Sequence, residues 1–246
     1  MFAIKPPAVA LALLALATTQ SFGQGLPVDL ELVLAVDVSG SMDDVEHAVQ
    51  RTGYVEALRH PDVVGVVLSG AHGRIALTYV EWAGPTSQVT VVPWRLIDSA
   101  ERAAAVADEL AARPISFIRG TSISGALEYA LGLFADNRYD GSRRVIDVSG
   151  DGPNNGGTAV VVARAAALAD GVIINGLPIM IRPSGSFVPL DRYYADCVVG
   201  GPGSFVLPVD SPGQLAEAIR RKLILEIAGP SVIGPTPVQF TVPGYC

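Results

Sequence analysis

Leu30 to Val36 reads LELVLAV, apolar except for Glu31, and runs at once into Asp37-Val38-Ser39-Gly40-Ser41. So short and apolar a run, closed by a turn of small polar residues, is the pattern of a strand covered on both faces. A strand with one wet face would alternate apolar and polar residues instead. A chain that begins this way must supply the covering layers from the rest of its length.

The following segments supply them. Asp43 to Arg59 places Val45, Val49 and Leu58 among polar neighbours, and Pro61 ends it. Asp43, Asp44 and Glu46 stand at its start, where carboxylates meet the positive end of the helix macrodipole. Val63 to Leu68 reads as a further short helix. Arg74–Trp82 and Gln88–Trp94 read as strands joined by the turn Ala83-Gly84-Pro85-Thr86, which predicts a hairpin and one antiparallel edge. Asp98–Ala112 (capped by Asp98 or Ser99), Ser122–Ala135 and Thr158–Ala169 read as helices. Arg144–Ser149, Val172–Ile181 and Ser204–Val209 read as strands, and Ser211-Pro212 opens a last helix to Ile227 with Ser211 as N-cap. The segment around Tyr193, Tyr194 and Cys197 is left unassigned. Alternating strands and helices predict a doubly wound α/β fold of Rossmann-like type. Its sheet is mainly parallel with one antiparallel edge strand and helices on both faces.

Half the 246 residues are hydrophobic and 17% are charged, enough for one domain with a substantial core. The net charge of −7, without any basic run, excludes a nucleic-acid surface, because phosphates are neutralised by clustered Lys and Arg. Residues 1–23 read as a signal peptide: Lys5, the apolar Ala8–Thr19, then Ser21-Phe22-Gly23 with small residues placed for cleavage. The apolar stretch is short for a membrane span, and an uncleaved anchor is the alternative. The expected organisation is a domain over 24–228 and a Pro-rich tail over 229–246, exported to the periplasm or secreted. Export puts Cys197 and Cys246 in an oxidising compartment. One internal disulfide is expected; two free thiols, or a link to another chain, are the alternatives.

In a sheet of this kind ligands bind beyond the carboxyl ends of the strands. Asp37, Ser39 and Ser41 leave the first strand, Asp151 leaves a later one, and Thr121 stands before a helix. Two carboxylates and three hydroxyls form an oxygen-rich set suited to a hard divalent cation. Asp-x-Ser-x-Ser alone is a weak signal, since serine-rich loops mostly form turns and caps. Joined in this order with Thr121 and Asp151, it resembles the metal-ion-dependent adhesion site of von Willebrand factor A domains, over Val28 to about Ala228. Tyr193-Tyr194-Ala195-Asp196-Cys197 and Gly200-Gly201-Pro202-Gly203-Ser204 look like a bacterial exported branch of that superfamily, DUF1194-like.

The resemblance implies roles. Ser39 and Ser41 would bind the metal directly, Thr121 directly or through water, and Asp37 and Asp151 directly or through bridging waters. One coordination position would stay open for an Asp or Glu carboxylate of a protein partner. Mg²⁺ is the expected ion, Mn²⁺ the next and Ca²⁺ the least expected. Where many members of that superfamily carry Thr before the Asp-Gly of the third loop, this chain has Gly150.

The expected function is an exported binding, adhesion or assembly module without catalytic activity. Oligomeric state is open. A metal-stabilised structural scaffold is the alternative. A metal-dependent phosphatase or hydrolase is the remoter one: in the haloacid-dehalogenase pattern the second acid would fall at Ser39, which does no general-acid work at neutral pH. His47, His60 and His72 show no ligand spacing and receive no role. Asp43 and Asp44 read as helix-start charges, Asn154 and Asn155 as part of a turn with Gly156-Gly157, and Trp82 and Trp94 as packing residues. Val160–Ala169 reads as a helix with a core-facing apolar side.

Overall fold

The computed structural model describes residues 25–115, 119–135, 137–182, 188–229 and 243–246. The expected signal peptide and most of the expected tail lie outside them. Seven strands, β1 (Leu26–Val28), β2 (Leu30–Asp37), β3 (Ile75–Trp82), β4 (Gln88–Ile97), β5 (Tyr139–Gly141), β6 (Arg144–Gly150) and β7 (Ile173–Pro178), are described. They alternate with helices α1 (Asp44–Arg59), α2 (Pro61–Leu68), α3 (Ala100–Ala111), α4 (Ile123–Leu133), α5 (Val160–Ala169), α6 (Leu190–Tyr193) and α7 (Pro212–Ala228).

The main sheet has the order β4-β3-β2-β6-β7. All neighbours run parallel except β3 and β4, the expected hairpin at the edge. Every residue of β2 is buried, as its unbroken apolar run requires. Leu30, Leu32, Leu34 and Val36 face a core shared with α1, α2, α3 and α7. Val33 and Ala35 face a second core shared with α4, α5 and α6. Glu31, the one charge in the run, is satisfied: its carboxylate accepts from the Gly141 N–H at 2.7 Å and from the Asn137 amide at 2.6 Å. The register pairs Asp37 with Trp82 and Val36 with Ser149, so β2, β3 and β6 end level and their exit loops open on one edge.

Several boundaries depart from expectation for local reasons. Ser204–Val209 makes only isolated bridges to β7, Gly176 to Val206 and Ile179 to Val209. In that register Pro178 has no N–H to give toward Leu207, which interrupts the ladder between the bonds Leu207 N–H to Gly176 and Val209 N–H to Pro178. β7 correspondingly stops at Pro178 instead of continuing to Ile181, and β4 runs on past Trp94 to Ile97. Val45 is 69% exposed. The buried stripe of α1 is instead His47, Gln50, Arg51, Tyr54, Val55 and Leu58, a face rich in polar groups that apolar spacing does not reveal. Ser99 caps α3, accepting from the Arg102 N–H at 3.3 Å. Ser211 occupies the N-cap of α7, but its side chain makes no capping bond. The unassigned segment folds as α6 and then a π-helical turn, Tyr194–Val198, closed by Val199 N–H to the Tyr194 carbonyl at 2.9 Å. The short pair β1–β5, outside the main sheet, has no counterpart in the sequence reading.

Candidate metal centre

At the end of β2 the chain folds back on itself. Asp37 Oδ1 accepts from the Ser39 N–H at 2.7 Å, an Asx turn that reverses the backbone. Gln50 of α1 donates to the Asp37 carbonyl at 3.0 Å and fixes the turn to the helix behind it. Ser39 Oγ then lies 2.9 Å from Ser41 Oγ, and Ser41 Oγ donates to Asp151 Oδ1 at 2.7 Å. A single chain of polar contacts therefore joins the loop after β2 to the loop after β6.

Thr121 reaches the same place by another route. Its N–H donates to Asn155 Oδ1 at 3.0 Å, and its carbonyl accepts the Asn155 N–H at 2.8 Å. Asn154 Oδ1 accepts from the Ser124 N–H at 3.0 Å. Asn154 and Asn155 thus clamp the loop before α4 onto the loop after β6, beyond the simple turn expected of them. Ser39, Ser41, Thr121, Asn155 and Arg119 line one open cleft of about 490 Å³. The five residues expected to act together are brought together: four by the contact chain, and Thr121 across the cleft.

The electrostatics are those of a site short of positive charge. Asp37 and Ser39 are buried, Asp151 is half-buried and Ser41 is exposed. Asp37 Oδ2 is buried with no hydrogen-bond partner. Burial, and secondly the charge of Asp151, push the Asp37 carboxyl up to about 7. Burial raises Asp151 as well. Asp43, by contrast, is held below its usual range by the Glu46 N–H, in a reciprocal capping box in which Glu46 answers to the Asp43 N–H. Asp43 is thereby committed to the helix start. Arg182 sits over this rim, paired with Asp43 and 3.3 Å from Glu46.

Gly150, where a Thr was the alternative, has a steric reason. A Cβ there would lie 2.8 Å from Asp37 Oδ2, 2.9 Å from the Tyr194 hydroxyl and 3.2 Å from the Trp82 ring. Gln50, Tyr194, Arg182 and the two asparagines escape sequence reasoning because each meets the site through tertiary contact, without a local spacing. Among the described residues no three of His, Cys, Asp and Glu gather as a metal cage. A cation here would depend on hydroxyls beside two carboxylates, a donor set that fits Mg²⁺ or Mn²⁺.

Cys197, in the π-helical turn, and Cys246 are joined, with Cα atoms 5.4 Å apart. Tyr245 adds a hydrogen bond from its hydroxyl to Asp196.

Solved structures share this fold. The proximal thread matrix protein 1 of the mussel byssus superposes with a TM-score of 0.58 at 14% identity, over 82% of this chain and 47% of that one. Another structure of it has a zinc-occupied MIDAS motif. The pilus adhesin SpaC from Lactobacillus rhamnosus GG gives 0.60 at 16% identity, over 81% and 31% of the two chains. A von Willebrand factor type A protein from Catenulispora acidiphila gives 0.57 at 16%, over 81% and 43%. The chain thus spans less than half the length of these neighbours, and at such identities they speak to the fold alone. No functionally curated relative matches. Residues 27–231 match the family described as "Protein of unknown function (DUF1194)", and the chain belongs to that family, built on a von Willebrand factor A fold.

Proposed function

We propose that Asp37, Ser39, Ser41, Thr121 and Asp151 hold a divalent cation, Mg²⁺ or Mn²⁺ before Ca²⁺, and that the protein is an exported adhesion or assembly module whose partner presents an Asp or Glu carboxylate to that ion. The observation that carries this is the Ser39–Ser41–Asp151 contact chain beside the partnerless Asp37 Oδ2. Two carboxylates converge with hydroxyls beside an open cleft, and among the described residues no lysine or arginine forms an ion pair with Asp37 or Asp151, although Arg119 lines the cleft and His47 lies near enough to lower Asp151. A bound cation would supply the missing charge, and neutral hydroxyl ligands would leave it under-neutralised and attractive to an external anion. The zinc-occupied motif of the byssus protein supports the same reading by analogy of fold. Binding is favoured over catalysis because the acidic groups at the site, Asp37 and Asp151, are the ones assigned to the cation, and the described cleft lining adds no His, Asp or Glu beside them.

Isothermal titration of chelator-stripped protein with Mg²⁺ and Mn²⁺ tests the site. Saturable one-site binding, abolished in Asp37→Ala and in Asp151→Ala, is expected. A folded wild type that binds neither ion would leave a scaffold with no metal function. Retention of an acidic peptide only in the presence of metal tests the partner class.

A further inference from the structure

Beneath the metal loops, on the face of the sheet that meets α7, lies a polar cluster the metal site does not use. Asp147 stands mid-strand in β6, between Val145 and Ser149, and points at Lys222 and Glu226 of α7. The three are 1%, 1% and 2% exposed. Lys222 Nζ is in close contact with Asp147 Oδ1 and 2.5 Å from Glu226 Oε1. Neither Asp147 oxygen makes a hydrogen bond of ordinary geometry, although the Lys222 amine lies against the carboxyl group. Asn175 donates to Glu226 Oε1 at 3.2 Å and steadies it, and the Phe205 ring covers the lysine amine at 5.7 Å.

Amine, carboxyl and a second carboxyl, buried in direct contact beside a cavity of about 210 Å³ that Glu226 and Asn175 help to line, are the ingredients of amide condensation. We propose that Lys222 and Asp147 join in an intramolecular isopeptide bond, with Glu226 as the proton shuttle. Glu226 takes a proton from the Lys222 ammonium. The freed nitrogen lone pair attacks Cγ of the protonated Asp147 carboxyl. The nitrogen gives up a further proton through Glu226 to the departing hydroxyl, the Cγ–O bond breaks and water leaves. A C–N bond has formed, Glu226 ends protonated, and no oxidant or reductant is involved.

Three physical arguments favour the step. Reactants held in contact gain an effective molarity on the order of 10⁵–10⁸ M over free groups. Burial raises both carboxyls, which favours keeping a proton on the pair, and the reaction starts from the form that carries it on Asp147 with Glu226 as the carboxylate. The product is a neutral amide beside a neutral acid, which removes two charges from a site where desolvation makes them costly. The bond would fasten α7 to the central strand beside β2.

The test is the intact mass of the full purified chain after reduction of the Cys197–Cys246 disulfide. A mass short by one water is expected, with a branched peptide containing Asp147 and Lys222 after digestion. Glu226→Gln, which keeps the shape and removes the proton acceptor, should fold and show the full mass, as should Asp147→Ala. A folded wild type at full mass overturns the proposal, and so does a water loss mapped to any other pair. Loss of water undiminished in Glu226→Gln overturns the role given to Glu226.

Discussion

β6 serves two acidic sites that resolve the same difficulty in opposite ways. At its exit, Asp151 and the buried Asp37 stand beside a hydroxyl-lined cleft, and among the described residues no lysine or arginine forms an ion pair with either. In its middle, Asp147 faces Glu226 in a closed core, and Lys222 lies against both. Paired carboxylates in a poorly solvated place need a cation. In the core the chain brings its own amine to the acids, as the cation that the proposed bond then consumes, and at the cleft the charge is left to come from outside. The difference teaches that an open site is recognised by the missing partner as much as by the residues present.

The sharpest way to break this comparison is to remove the internal cation. Lys222→Ala should cost about 3–5 kcal/mol in denaturant unfolding, because it strands two buried carboxyls. A cost near that of a surface lysine would show that the cluster is wet. At the open site the corresponding experiment adds the cation. Saturation with Mg²⁺ at about a hundred times its dissociation constant should stabilise the wild type by about 2.7 kcal/mol, and Asp37→Asn not at all. Thermal melts with and without metal measure both. Gly150→Ala comes next, since its new methyl meets Asp37, Tyr194 and Trp82. Overpacking there should cost about 1–3 kcal/mol and weaken metal binding together with stability. A variant as stable and as avid as the wild type would mean that the wall formed by Tyr194 yields.

The most gradual effect, per unit of the variable changed, is the slope of stability with pH. Burial, and secondly Asp147, push Glu226 up to about 8 from an ordinary value of 4.5. The folded protein therefore holds a proton that the unfolded chain gives up in that window. The stabilisation is complete below the ordinary value and is lost as pH rises through about 8, by at most about 1.4 kcal/mol per pH unit. Burial is the larger cause, so the direction holds with or without the Lys222–Asp147 bond. Denaturant midpoints across this range should fall in the wild type and flatten in Glu226→Gln.

The legible parts of the molecule were those where local chemistry and global fold agree. LELVLAV is a buried strand in any α/β context, and Asp37, Ser39 and Ser41 are visible because their spacing is local. Illegible parts depended on partners distant in the chain. Asp147 reads as one polar residue in RVIDVS, and only the packing of α7 gives it Lys222 and Glu226. Gln50 looks like any helix residue until it is seen holding the Asp37 carbonyl. Ser204–Val209 has the composition of a strand, but Pro178 opposite it has no N–H to give, and the pairing is left as isolated bridges.

By itself, then, the sequence determined the α/β alternation, the antiparallel edge and which oxygen-bearing side chains stand at the strand exits, because periodicity and turn chemistry act over a few residues. Tertiary structure decided which acids face a cleft and which face a lysine, why position 150 must be glycine, and how Asn154 and Asn155 hold Thr121 against the site. Those outcomes turn on burial and on the approach of segments far apart in the chain, and burial is a property of the packed layers that no short stretch of sequence carries.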